Sequence, residues 1–135
     1  MIAPAPFATR PLPAAPDVIA PDGSEVRVLL RLAGGSMAHF SLAPGEVSLP
    51  VEHRTVEELW FVIAGCGEMW RSQAGREEIT PLAPGVSLSI PLGTRFQFRC
   101  LGDAPLEAVG VTMPPWPGME EAVPADGPWV PKLAR

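Results

Sequence analysis

The chain has 135 residues, of which 47% are hydrophobic and 19% charged, and its formal net charge is −5. This length allows one domain with a single core, and the absence of any Lys/Arg cluster argues against nucleic acid as a partner. No stretch approaches the roughly 18 apolar residues of a membrane span, and no secretory signal pattern is present, so we expect a cytoplasmic protein with no membrane partner.

Residues 1–23 are predicted to form an extended arm. Prolines recur along this segment, and proline removes a backbone donor and interrupts helices. An arm of this kind can drape over a neighbouring subunit or remain a disordered tail, and the residues alone leave both possibilities open.

Residues 24–113 show the pattern of short strands separated by Gly and Pro turns. From position 26 to 32 every second residue is apolar, which is the period of a strand with one buried face. The predicted strands are 25–32, 37–42, 47–51, 59–64, 68–71, 78–82, 86–90, 96–101 and 106–113. Many short strands at regular spacing predict an all-β antiparallel sandwich, barrel or jelly roll.

Residues 114–135 form a Trp/Pro-rich tail that contains Trp116 and Trp129. Exposed tryptophans would leave large apolar surfaces in water, so we expect the tail to pack on the barrel or on a partner. Two cysteines, Cys66 and Cys100, are too few for a disulfide framework and are expected to be free thiols.

Two segments with fixed spacing resemble the paired motifs of the cupin superfamily. The first motif, G-(x)5-H-x-H-(x)4-E-(x)6-G, begins at Gly45 and ends at Gly65. The second, G-(x)5-P-x-G-(x)2-H-(x)3-N, begins at Gly85 and has Pro91 and Gly93 in its slots. The resemblance covers about residues 25–113 and implies a double-stranded β-helix, the jelly-roll barrel of small bacterial cupins.

The resemblance also implies a degenerate metal site. In metal-binding cupins, two histidines and a glutamate of the first motif and a histidine of the second hold the ion. Those slots carry Val51, His53, Glu58 and Phe96 here, so two of the four donors are replaced by apolar groups. One imidazole and one carboxylate make a weak divalent site. We expect no cofactor, and a metal that did bind would use His53 and Glu58.

The candidate catalytic residues are His53 and Glu58. The cupin mapping places them on one cavity within hydrogen-bonding reach, where the carboxylate would raise the imidazole pKa and complete an acid–base dyad. The alternative is a polar pair retained because removal of one partner would strand the other. Strand parity predicts a ligand pocket lined by Val51, His53, Glu58, Trp60, Phe96, Phe98 and Cys100. The aromatic residues among these can instead fill the barrel as a solid core.

The predicted function is binding of a small apolar or aromatic molecule without metal-dependent turnover. The alternative is a cupin enzyme: a metal-free isomerase or epimerase that uses His53 and Glu58, or a dioxygenase with a rearranged metal site. Leu59, Phe61 and Ile63 form an apolar outward side of one strand that something must cover. We therefore expect a homodimer, with a small molecule as the other partner.

Overall fold

Alternation of buried and exposed residues organises most of the chain into β-strands. The computed structural model describes residues 3–133. The strands in this range are β1 (Val18–Ile19), β2 (Glu25–Leu32), β3 (Gly35–Leu42), β4 (Val51–His53), β5 (Glu57–Ala64), β6 (Gly67–Gln73), β7 (Arg76–Leu82), β8 (Ser87–Ile90), β9 (Arg95–Cys100), β10 (Leu106–Met113) and β11 (Ala122–Pro124). A 3-10 turn, Met119–Glu121, precedes β11. No helix in residues 3–133 is long and apolar enough to span a membrane.

The strands form two antiparallel sheets. One sheet has the order β1-β2-β3-β10-β5-β8, and the other has the order β11-β4-β9-β6-β7. The inward residues of both sheets meet in a core that includes Leu42, Val62, Met69, Phe98 and Leu106. Burial of each such side chain contributes roughly 1.5–3 kcal/mol to the free energy of unfolding. The predicted all-β jelly roll is thereby confirmed.

Two short strands at the edges were not expected from the sequence, and one expected strand is shifted. β1 lies within the segment predicted as an arm, and β11 lies within the tail. The strand expected at 47–51 is reduced to an isolated bridge at Val47, and the ladder begins only at Val51. Pro50 explains the interruption, because proline has no N–H to donate to a neighbouring strand.

The predicted orientation of the apolar residues in β2 was partly wrong, because β2 contains a β-bulge. The sequence pattern places residues 26, 28, 30 and 32 on one buried face. In the structure Val28 pairs with Ala38 and Arg31 with Ser36, so two residues of β2 lie opposite one of β3. The extra residue turns the following side chains over. Leu30 and Leu32 therefore point outward, with exposed fractions of 41% and 72%.

Gly65 allows the tight turn between β5 and β6. Its φ of 76° lies in the left-handed region that residues with a Cβ avoid. A side chain there would also clash with the carbonyl oxygen of Pro105, which packs directly against the turn. Gly65 is the last residue of the first cupin motif. Its positive φ and the lack of space for a side chain explain why that position carries glycine.

Both ends of the chain contact the strands. On the N-terminal side, the Arg27 guanidinium donates hydrogen bonds to the carbonyl oxygens of Pro13 and Ala14, at 2.8 and 3.0 Å. On the C-terminal side, β11 pairs with β4, and the Trp129 backbone exchanges hydrogen bonds with the Gln97 side chain.

The outer face of the six-stranded sheet is apolar. Phe61 and Leu59 lie directly across from Val109 and Val111 of β10, and Met37 of β3 lies beside Val111. Leu59, Phe61 and Ile63 are each about half exposed. A two-fold pair places the same patch of each copy against the other, so this apolar patch can complement itself. The homodimer stays a prediction.

Candidate functional site

A cavity of about 170 Å³ lies at one end of the barrel, between the two sheets. Its walls are mainly apolar, and several aromatic rings contribute to them. Phe40 of β3 stacks on Trp60 of β5, with ring centroids 5.2 Å apart and an angle of 11° between the planes. Phe96 of β9 and Trp116 of the tail form further parts of the wall. Such a lining favours an apolar occupant.

His53 lies on the cavity wall at the end of β4. Its ring is held between the edges of Phe96 and Trp116, with centroid distances of 5.1 and 5.3 Å. Burial lowers its pKa from 6.5 to about 4, and the nearby Glu121 carboxylate offsets only part of that effect. Glu121 itself accepts hydrogen bonds from the backbone N–H and hydroxyl of Thr55. His53 is therefore a neutral imidazole near pH 7.

Glu58 faces the same cavity from β5. Burial raises its pKa to about 8, and this exceeds the opposite effect of the Trp60 indole N–H. The negative charge of Asp22 raises the pKa further. Near neutral pH the Glu58 carboxyl therefore carries its proton and acts as an O–H donor.

The expected hydrogen bond between His53 and Glu58 is not formed. Nδ1 of His53 lies 3.9 Å from Oε1 of Glu58, which is beyond hydrogen-bond distance. The expectation of a raised imidazole pKa was also wrong, because burial penalises the charged ring and Glu58 is itself uncharged. The two groups form a pair of neutral polar side chains instead of an ion pair.

Two buried nitrogen atoms on the cavity wall lack hydrogen-bond partners. They are Nδ1 of His53 and Nε1 of Trp60; Nε1 lies close enough to the Glu58 carboxyl to lower its pKa but forms no hydrogen bond of normal geometry with it. A buried polar atom without a partner costs about 1–3 kcal/mol. Both atoms are available to a polar group that enters the cavity.

The structure separates the seven predicted pocket residues into two groups. His53, Glu58, Trp60 and Phe96 line the cavity. The remaining three lie in the packed core: Val51, Phe98 and Cys100. Strand parity reports which face a residue lies on, but not how deep along the barrel it lies. Phe98 and Cys100 follow Phe96 on the inward face of β9, and they lie deeper in the barrel, where side chains fill the core.

The cavity residues missed from the sequence include Asp22, Trp116 and Phe40. Asp22 lies in a segment that was assigned to the arm, and its Oδ1 accepts hydrogen bonds from the backbone N–H and hydroxyl of Ser24, at 2.9 and 2.6 Å. Trp116 was expected to pack somewhere, but no pattern gave its location. Phe40 could have been found, because it shares the inward parity of Ala38 and Leu42 on β3.

The family model described as "Cupin domain" matches residues 38–112, more than half of the chain. The chain belongs to the cupin family. The sequence has no match among curated proteins. The cavity thus lies in a cupin barrel, at the place where the two motifs meet.

Solved structures share this cupin fold at low sequence identity. A conserved protein with a double-stranded β-helix domain from Klebsiella pneumoniae is 18% identical over 88% of this chain and 91% of its own, with a TM-score of 0.63. KdgF from Halomonas sp. is 17% identical over 68% and 81%, with a TM-score of 0.60. Oxalate decarboxylase from Bacillus subtilis is 17% identical over 78% of this cupin but 28% of its own chain, with a TM-score of 0.66. At such identities these comparisons show the fold alone.

The side chains at the four motif positions do not fit a metal ion. Val51 and Phe96 are directly paired across β4 and β9, so the two replaced donors form one apolar contact. Only His53 and Glu58 supply donor atoms there. In residues 3–133 no group of three or more His, Cys, Asp or Glu side chains is placed to hold an ion. The expectation that this cupin uses no cofactor stays a prediction.

Restoring the two lost donors should create a metal site. We expect V51H/F96H to bind about one Mn²⁺ per chain, because four donors are typical of such sites. The wild-type protein should bind far less than one equivalent. The measurement is metal content after dialysis against Mn²⁺ and removal of the free ion. The matched control is V51H/F98H, because Phe98 lies in the core away from the cavity. Stoichiometric Mn²⁺ in the wild type would contradict this prediction.

The raised Glu58 pKa should make stability depend on pH. The folded protein keeps this proton up to about pH 8, whereas a free glutamate loses it near pH 4.5, so the unfolding free energy falls as pH rises between these values. His53 has the opposite effect, but only below its unfolded pKa of 6.5. From pH 6.5 to 8 we therefore expect a loss of about 1–2 kcal/mol, measured by urea unfolding.

Glu58→Gln should remove most of that loss, because the amide does not titrate. Glu57→Gln is the matched control, since Glu57 is exposed on the same strand. Equal pH dependence in the wild type and Glu58→Gln would show that another group is responsible.

Proposed function

We propose that this cupin binds one small, largely apolar molecule in the barrel cavity, without metal-dependent turnover. The observation that carries the proposal is an apolar cavity of about 170 Å³, lined in part by aromatic rings, at the family's motif site. An apolar cavity of about 150 Å³ in another protein is large enough to bind benzene. The volume here therefore suits a molecule built on a single ring.

The shape of the wall supports a flat occupant. Phe40 and Trp60 form a stacked pair in this lining, and His53 and Phe96, which contact each other edge to face, lie in the same lining. Aromatic groups prefer offset-stacked or edge-to-face contacts, which together add about 0.5–1.5 kcal/mol per pair beyond the burial of area. A planar apolar molecule can form several of these contacts at once.

A probe of this binding is isopropylbenzene, which has an aromatic ring and no polar group. We expect saturable binding that changes the fluorescence of the cavity tryptophans. Ala38→Phe should weaken binding by about tenfold or more, because Ala38 lines the cavity and overpacking costs about 1–3 kcal/mol. Ala83→Phe is the control, since Ala83 is exposed in a loop away from the cavity. Failure of the wild type to bind, or equal binding by Ala38→Phe, would contradict the proposal.

A second candidate is a metal-free isomerase. The Glu58 carboxyl, with a pKa of about 8, is suited to act as a general acid near neutral pH. It would donate its proton to a carbonyl oxygen while His53 removes a proton from the adjacent carbon, giving an enol. The low pKa of His53 makes it a weak base, which is why this candidate ranks second.

The exchange of the methyl protons of acetophenone in D₂O separates the two candidates. The isomerase candidate requires the protein to accelerate exchange, and requires His53→Gln to abolish the acceleration. His39→Gln is the control, because His39 lies outside the cavity and pairs with Glu107 at 2.8 Å. We expect no acceleration by the wild type, as a binding protein requires; NMR integration of the methyl signal over time gives the answer.

A further inference from the structure

We infer that the bound molecule carries one uncharged oxygen, a carbonyl or a hydroxyl, and places it against the buried donors Glu58 and Trp60. This inference rests on the proposed function and adds the chemical class of the ligand. It also fixes the orientation of the ligand, with its oxygen inward among these groups and its ring against the aromatic wall.

Glu58 and Trp60 converge on the backbone of Gly110. A Cβ built on Gly110 would lie 2.6 Å from Cε2 of Phe40, 2.9 Å from Oε2 of Glu58 and 3.2 Å from Cδ1 of Trp60, the ring carbon bonded to Nε1, so these side chains already fill the space above the glycine. All three residues line the cavity. A side chain at position 110 would displace one of these groups, so the glycine is what allows them to lie together.

The polar groups at this place need a partner. Nε1 of Trp60 is buried without a hydrogen bond of normal geometry, and so is Nδ1 of His53. Native proteins satisfy most buried polar groups, with protein, water or ligand atoms. A carbonyl oxygen can accept two hydrogen bonds, and a hydroxyl can accept one from Trp60 while it donates to His53.

The charges on the cavity wall favour an uncharged oxygen over a carboxylate. The titratable or charged side chains that line the cavity in residues 3–133 are Asp22, Arg31, His53 and Glu58. Arg31 is exposed and so lies at the mouth, whereas the other three are buried. A carboxylate beside Glu58 and Trp60 would meet two carboxyl groups and a neutral imidazole, without a buried cation to offset its desolvation. A neutral oxygen avoids that cost.

Three probes of equal heavy-atom count test the inference. Acetophenone carries a carbonyl, isopropylbenzene replaces that oxygen with a methyl group, and benzoate replaces the ketone methyl with a charged oxygen. Since water expels isopropylbenzene more strongly than acetophenone, the informative quantity is the change in each dissociation constant on Trp60→Phe. This substitution keeps a ring beside Phe40 and removes the N–H.

We expect Trp60→Phe to weaken acetophenone binding by about fivefold to tenfold, the net effect of one hydrogen bond. The same variant should bind isopropylbenzene equally well or more tightly, because no donor is left unsatisfied. Trp70→Phe is the matched control: Trp70 lies outside the cavity and donates to Oε1 of Glu77 at 2.9 Å. It should change neither constant. Calorimetric titration of each variant at pH 6.5 measures both constants.

A pH series gives an independent readout. Acetophenone should bind less tightly at pH 9.5 than at pH 6.5, because Glu58, with a pKa of about 8, has then lost its O–H. Glu58→Gln retains an N–H donor and should lose most of this pH dependence, while isopropylbenzene binding should change little with pH in either protein.

The outcomes separate this inference from the proposed function. If isopropylbenzene binds but Trp60→Phe leaves the dissociation constant of acetophenone unchanged, the inferred ligand oxygen is wrong. The proposed binding of an apolar molecule then still holds. Benzoate binding more tightly than acetophenone at pH 6.5 also overturns the ligand class. If none of the three probes binds, the proposed function fails together with the inference.

Discussion

The cost of placing a charge among aromatic rings governs the behaviour of this site. His53 and Glu58 are both buried, and burial moves their pKa values in opposite directions, to about 4 and about 8. Near neutral pH each is therefore in its uncharged form. Instead of an ion pair that attracts cations or anions, the cavity presents a hydroxyl donor, an indole N–H and a neutral imidazole, which together suit an uncharged molecule.

The pairing of Val51 with Phe96 explains how this cupin has a cavity without the donor set of a metal centre. These two residues occupy ligand positions of the family motifs and face each other across β4 and β9. Val51 belongs to the packed core, whereas Phe96 lies at the boundary between the core and the cavity. Replacement of donors by this contact closes one side of the usual site, and the space that remains is bounded by rings.

The fold could be predicted from local patterns, because strand period and glycine spacing act over a few residues. The turn at Gly65 requires a positive φ, and a motif position that demands glycine is visible in the sequence. The orientation of Leu30 was not predictable in the same way, because the bulge in β2 depends on the pairing with β3. Strand parity also predicted that His53 and Glu58 face the same cavity. The distance of 3.9 Å between Nδ1 of His53 and Oε1 of Glu58 was not predictable, because it depends on how the surrounding side chains pack.

The parts of the site that sequence patterns missed lie mostly outside the conserved motif region. The family model ends at residue 112 and begins at 38, whereas Asp22, Trp116 and Met119 all line the cavity from beyond those limits. Trp116 packs on the ring of His53, and Asp22 contributes to the raised pKa of Glu58. The chain ends therefore set the shape and the electrostatics of the cavity, while the barrel supplies its frame. The ligand selectivity that the proposed function requires would therefore depend on segments outside the match to the family model, and fold similarity alone does not identify the ligand.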